Sequence, residues 1–444
     1  MLQIKPGETP FSELYEILGF QTQEELDFRK ARLFPSGNTE QETSTTSIFL
    51  ASLAAVKEYR EELLLGIGVN KIRNKNINVH AYTEIKKENK NHECRPDGLL
   101  IVTSGKNNPL IEWAALVESK VGNSEVGQKQ VDDYVEFGKE AGVDNLITIS
   151  NQLVTTPNDS PYKTKKKKFD LYHWSWTFLK VAARRLVRAG VIEDPDHEYI
   201  LTELRRYFDA HSKVSNFTNM GGKDWKEATQ KCRDTNHETK LPAWCTNQLV
   251  ESFKQEEKDI ALQLTDLNKD GHTVKLEIGK SDREEQLHKM LAEQRRITST
   301  YSIDNDKAWS FNLTIDFKTW VVECSTEIVI DKGKAQAQTT ALLGLFDDAG
   351  ASSSILINGF YPRRKRHAHP NLDEITLQQL IDEKNDRAVN TYSTVNKDLG
   401  DEFKCFETKT KDHLGAEFSA SKKFVERIED IAQRFLEHVM INIR

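Results

Sequence analysis

A chain of 444 residues is too long for one ordinary hydrophobic core, so two or more domains are expected. With 37% hydrophobic and 30% charged residues it reads as a soluble globular protein, and a net charge of −7 argues against a general nucleic-acid coat while leaving room for a local basic groove. No apolar run is long enough for a membrane span, and MLQIKPGETPFSELYEIL lacks the basic start and apolar run of a signal peptide, so a cytoplasmic protein with no membrane partner is expected.

In the first half, Phe11 to Leu18 and Gln23 to Leu33 read as short helical pieces, followed by a polar link, SGNTEQETSTTS. Ile48, Leu50, Leu53, Val56 and Leu63 recur at helical spacing and predict an amphipathic helix over Ser47 to Leu65. Thr43 to Ser47 offer N-cap hydroxyls before it. Ile77, Val79 and Ala81 alternate with polar neighbours as in a half-buried strand. Asp97 to Thr103 and Leu110 to Val121, joined by the turn-like SGKNNP, predict a pair of hairpin strands. A helix from about Val126 to Glu140 stops near Gly142, and NLITIS (Asn145 to Ser150) reads as a central strand. A Pro- and Lys-rich loop, Thr155 to Lys168, precedes the strand FDLYHW and a helix capped by Ser175 and running to about Ala189. This order predicts an α/β domain, a mixed central sheet flanked by helices.

The second half is less informative. Asp196 to His211 reads as a linking helix, and Val214 to Trp225, with its Gly pair, as a boundary, which sets domains at 1–213 and 214–444. Trp225 to Asp270, with a break near Leu241–Pro242, and Arg283 to Arg296 read as polar helices. TSTYSI, SFNLTIDF, WVVECSTEIVI, KAQAQTTALLGLF and ILINGFYP read as strands of an antiparallel meander, and Ser419 to Arg444 as an amphipathic helix. The expectation is an α+β domain with an antiparallel sheet, serving recognition, regulation or oligomerisation.

One stretch carries chemistry. Glu118 and Lys120 stand two apart in an otherwise apolar strand and so share a face. A carboxylate and an ammonium enclosed in a sheet are unfavourable unless paired or functional. Asp97 opens the neighbouring strand, and a hairpin brings it close to Glu118. Two carboxylates repel, and the usual relief is a divalent cation; oxygen ligands select Mg²⁺ or Mn²⁺. Such a metal holds phosphate oxygens and lowers the pKa of a bound water, and Lys120 can orient that water. The alternative is an ordinary ion pair at a strand end. On the next helix, Gln130 and Tyr134 share one face.

These residues resemble the PD-(D/E)XK nuclease superfamily, in its RecB-like branch with a Gln-x-x-x-Tyr motif. Pro96–Asp97, Glu118–Ser119–Lys120 and Gln130 to Tyr134 match the three elements in order, over roughly Glu42 to Gly190. The resemblance implies a restriction-endonuclease-like fold, metal binding by Asp97 and Glu118, catalysis by Lys120, and placement of the substrate by Gln130 and Tyr134. It implies a further acidic residue near the first helix, for which Glu42 is preferred over Glu58, since Glu58 to Glu62 reads as a solvated face. Some members carry an iron–sulfur cluster on four cysteines, but Cys94 alone lies within this core. The implied activity is Mg²⁺- or Mn²⁺-dependent hydrolysis of DNA, with RNA as a further substrate class. The rivals are a silent nucleic-acid-binding protein and a scaffold in a larger complex. A double-strand cut usually needs two such sites, which is compatible with a homodimer, and defence against phage or plasmid DNA is a role by analogy alone.

Basic residues mark candidate phosphate contacts at Lys165, Lys166, Lys167 and Lys168, and at Arg363, Arg364, Lys365 and Arg366. Each run is also compatible with a solvated loop. Arg184, Arg185 and Arg188 follow on a helix. Trp174 and Trp176 read as core packing, with base stacking as the alternative. Cys232, His237 and Cys245 sit close in sequence but match no common zinc spacing, and His367 and His369 lack matching ligands.

Overall fold

The computed structural model describes residues 3–30, 40–85, 95–122, 124–154, 156–166, 168–214, 217–268, 271–279, 282–304, 306–331, 333–346, 353–362, 372–385 and 402–443. The chain forms two compact units: Met1–Phe217 with Lys269–Gly271, and Thr218–Asn268 with His272–Arg444. Among the described residues no helix is long and apolar enough to cross a membrane.

The first unit runs α1 (Leu14–Ile17), α2 (Gln23–Asp27), α3 (Glu42–Ala55), α4 (Lys57–Gly66), β1 (Ile77–Thr83), β2 (Gly98–Ser104), β3 (Leu110–Ser119), α5 (Gln128–Ala141), β4 (Asn145–Ser150), β5 (Asp170–Ser175), α6 (Trp176–Ala189) and α7 (Pro195–Ala210). Its sheet follows chain order, β1-β2-β3-β4-β5. The short turn after β2 makes β2 and β3 antiparallel, whereas the α5 crossover returns β4 parallel to β3. The sheet is therefore mixed, and β3 is where its sense changes.

Alternating side chains feed two cores. Leu100, Val102, Ala115, Val117, Ile147 and Ile149 face residues of α3, α4, α6 and α7, while Leu99, Ile101, Ala114, Leu116 and Leu146 face α5 and the N-terminal helices. This makes a sheet layer between two helical layers. Gly98 permits the close approach of α3 to β2: a Cβ there would lie 2.6 Å from Leu50 Cδ1. Gly142 ends α5 in the left-handed region at φ 76°.

Two expectations need correction here. The helix expected over Ser47 to Leu65 is two helices, broken at Val56, whose ψ of 113° is extended. Its start also lies earlier, at Glu42. Thr45, Thr46 and Ser47 are buried within it, not caps, and the Thr45 and Thr46 hydroxyls donate back to the Gln41 and Glu42 carbonyls. Ser175 does cap α6, accepting from Phe178 N–H at 3.0 Å.

The second unit holds α8 (Lys223–Asp234), α9 (Ala243–Leu267), β6 (Val274–Leu276), α10 (Arg283–Gln294), β7 (Arg296–Ile303), β8 (Asp306–Asp316), β9 (Val321–Ile328), α11 (Ala335–Leu345), β10 (Leu356–Phe360), β11 (Leu372–Thr376), α12 (Leu377–Asn385), β12 (Cys405–His413) and α13 (Ser421–Phe435). Its seven strands are antiparallel in the order β11-β10-β12-β9-β8-β7-β6. KAQAQTTALLGLF, expected as a strand, is α11: Gln338, Thr339, Leu342 and Leu343 recur at helical spacing on its buried side.

Candidate functional site

The polar residues of the first unit converge at the end of β3. The ladder pairs Gly98 with Val117, so Asp97 stands opposite Glu118, one step beyond the last paired residue of β2. Alternation then divides the strand end. Glu118 lies on the α5 side and is 1% exposed, while Ser119 lies on the α3 side and is fully buried. Lys120 follows the strand, with its N–H donating to Ile149 O of β4 at 2.8 Å.

Lys120 Nζ is the hub. It donates to Glu118 Oε1 at 2.7 Å, to Glu42 Oε1 at 2.8 Å and to Ser119 O at 2.9 Å. Gln130 Nε2, from the first turn of α5, donates to the same Glu118 oxygen at 2.6 Å, and lies 3.1 Å from Tyr134 Oη. Tyr134 Oη donates to Arg95 O at 3.3 Å, tying α5 to the segment that carries Asp97. Asp97 Oδ2 accepts from Ser119 N–H at 2.9 Å and lies 3.3 Å from Ser119 Oγ. Ser119 Oγ is in turn 2.5 Å from Thr46 Oγ1 on α3. Trp176, buried at the start of α6, donates its indole N–H to Lys120 O at 2.9 Å.

The charges are strained by their setting. Burial, then the neighbouring Glu118 charge, push the Asp97 carboxyl up to about 7. Burial also raises Glu118, against the opposing pull of Lys120. For Lys120, burial works against the ammonium, yet the Glu118 charge and the hydrogen bonds to Glu118 and Glu42 hold its pKa above the ordinary lysine value. Burial and the Glu118 charge raise Tyr134 likewise, so it stays a neutral phenol.

Glu118 Oε2 is buried and accepts no hydrogen bond. A buried carboxylate oxygen without a donor is a place for a cation. Asp97, Glu118 and Glu42 together form an all-oxygen donor set suited to a hard divalent ion. Glu118 and Glu42 are joined through Lys120 and Asp97 is held on Ser119 N–H, and among the described residues no three His, Cys, Asp or Glu side chains form a ready metal cage.

All six residues expected at the site from the β2–β3 hairpin and its flanking helices therefore meet: Glu42, Asp97, Glu118, Lys120, Gln130 and Tyr134. The lysine loop does not join them. It runs down α5, with Lys163 O accepting from Gln128 Nε2 and Lys166 Nζ paired with Glu136 at 3.0 Å, about 9 Å along the helix from Gln130. Lys165 and Lys168 are exposed beyond it, and Lys167 lies outside the described residues. Arg363 to Arg366, His367, His369 and Cys94 also lie outside them. Arg184 and Arg185 are paired internally with Asp209 and Glu62. Trp174 and Trp176 are core residues, unavailable for stacking on bases. Cys232 and Cys245 are fully buried thiols whose pKa values burial raises to about 12 and about 11.

Three supporting residues escaped the sequence reading. Ser119 sits inside the Glu-x-Lys motif as its unassigned middle position. Thr46 had a signal, a hydroxyl pair in a helix otherwise apolar on that face. Trp176 had none, since its role depends on α6 reaching the end of β3.

Neither a protein-family model, nor a curated protein, nor a solved structure matches the chain.

Proposed function

We propose that the first unit is a restriction-endonuclease-like nuclease core of the PD-(D/E)XK type, and that the protein hydrolyses DNA phosphodiester bonds with Mg²⁺ or Mn²⁺. The observation that carries this reading is the single ammonium of Lys120 between Glu118 and Glu42, with Asp97 fixed beside them on Ser119 N–H. An ordinary strand-end ion pair needs neither the second and third carboxylates nor the buried, donorless Glu118 Oε2.

In this reading Asp97 and Glu118 hold the metal, with Glu42 as a further ligand. The metal, when bound, supplies Lewis-acid polarisation of the phosphate and a water of lowered pKa. Lys120 Nζ, with several donor directions on one carbon stem, orients the attacking water and offsets negative charge growing on the phosphate. Gln130 keeps Glu118 Oε1 fixed, leaving Oε2 free for the metal. The Asp97 carboxyl must lose its proton to serve as a ligand, and a bound cation favours that loss.

The test is cleavage of plasmid and single-stranded DNA with Mg²⁺, Mn²⁺ or EDTA, comparing wild type with Lys120→Ala. Metal-dependent cleavage abolished in the variant is the expected result. Folded wild type that neither cleaves nor binds Mg²⁺ would leave a binding protein on a nuclease-like core, and cleavage of RNA alone would move the substrate class.

A further inference from the structure

A cleft of about 660 Å³ opens beside the site, with Gln41, Glu42, Val121, Gly122, Ser212 and Lys213 in its walls. Glu42 thus belongs both to the cleft and to the Lys120 cluster. A volume of this size suits a ligand on the scale of a nucleotide (about 300–1,000 Å³).

Lys213 is placed there by its backbone. Gly122 N–H donates to Lys213 O at 2.8 Å, and Asn151 Nδ2 donates to both Gly122 O and Lys213 O at 2.9 Å. Lys213 N–H in turn donates to His211 Nδ1 at 3.1 Å. His211 Nε2 lies 2.9 Å from Thr45 Oγ1 in the first turns of α3, which also carry Glu42. The 211–214 turn is therefore fastened to the exits of β3 and β4 and to α3 at once. Gly122 adopts φ 69°, a turn of the chain that brings the two backbones together. The Lys213 side chain itself is exposed, and among the described residues no ion pair holds its ammonium. A clamped backbone carrying an uncommitted cation at the rim of a polar cleft is built to receive an anion.

We infer that this cleft holds the nucleic-acid strand beside the reacting phosphodiester, and that Lys213 contacts the phosphate next to it. This rests on the nuclease reading and adds a path for the strand: past Glu42 and across Gly122 to Lys213, on the opposite side of Lys120 from the lysine loop along α5.

The test is equilibrium binding of fluorescein-labelled single-stranded DNA, and of its duplex, to the full chain in EDTA and in Ca²⁺. Lys213→Glu is compared with wild type and with Lys106→Glu, an exposed lysine in the turn at the far end of the β2–β3 hairpin. Lys213→Glu should weaken binding about ten-fold at low salt and reduce the slope of log affinity against log salt by about 0.7–0.9, the loss of one phosphate contact. Lys106→Glu should leave both near wild type. Equal weakening in the two variants would reduce the effect to bulk charge and overturn the inference. Unchanged binding by Lys213→Glu in a protein whose wild type cleaves DNA would overturn it and leave the nuclease reading standing. A wild type that binds neither probe in either condition would overturn both.

Discussion

Lys120 Nζ lies 2.8 Å from Glu42 Oε1, although the two residues stand 78 positions apart. The helix that opens at Glu42 and the strand that ends before Lys120 meet at that contact, and in the absence of metal the ammonium is the cation of the site. Removing it should expose its structural role as well as its chemical one.

Lys120→Met leaves Glu118, 1% exposed, without its counter-charge. Breaking such a pair destabilises by about 3 kcal/mol. The loss is expected as a lower urea midpoint in EDTA, and Mg²⁺ should restore part of it while DNA cleavage stays absent.

The Asp97 carboxyl, raised to about 7 by burial and by Glu118, is protonated in the fold where an unfolded aspartate is ionised. The native state then binds more protons than the unfolded state, so metal-free stability falls as pH rises through about 7. Thermal melting in EDTA should give a higher midpoint near about pH 5 than near about pH 8, and Asp97→Asn should flatten the trend. Mg²⁺ binding runs the other way: below about 7 its affinity should drop about ten-fold per pH unit, read by calorimetry.

Trp176→Phe removes the indole N–H that holds Lys120 O. The orphaned carbonyl and the small void should lower stability by about 1–2 kcal/mol. Because the lost bond fixes the backbone of Lys120, kcat should fall several-fold more than KM changes, which steady-state cleavage kinetics can separate.

In the second unit, burial and the nearby Asp259 raise the Glu429 carboxyl to about 8, and Glu256, fully buried, has no hydrogen-bond partner on either oxygen. Here too the folded state holds a proton that the unfolded chain releases, so the contribution of Glu429 to stability is full below about pH 4.5 and is lost as pH rises through about 8. Urea midpoints followed between those limits should decline in wild type and decline less steeply in Glu429→Gln.

The first unit was legible because its signals were local. NLITIS is β4 as expected, and the helix after Ser175 ends at Ala189. Asp97, Glu118 and Lys120 could be brought together from the period of a strand and the antiparallel return of a hairpin. The start of α3 was not legible: Ser44, Thr45, Thr46 and Ser47 read as a polar link, yet all four are buried, with two hydroxyls satisfied by their own helix. β12 was missed for a related reason. In CFETKTKDH the buried face carries Thr408 and Thr410 beside Phe406, and Lys409 on the other face is buried beside Glu374 and Glu407, so neither face shows the usual apolar–polar alternation. Lys213 could not be found from sequence, because nothing local announces that its turn is fastened to Gly122.

Leu116 and Val117 are paired on both sides, to Leu99 and Gly98 of β2 and to Leu146 and Ile147 of β4. At the end that delivers Glu118 the strand thus has a neighbour on each side, and the amides there can exchange with deuterium only when the sheet itself comes apart. Glu42 and Gln130 arrive from helices, and Lys213 from a turn, each attached to this strand from outside. Any adjustment of the site therefore falls to those attachments, while the carboxylate on β3 remains the fixed datum against which they move.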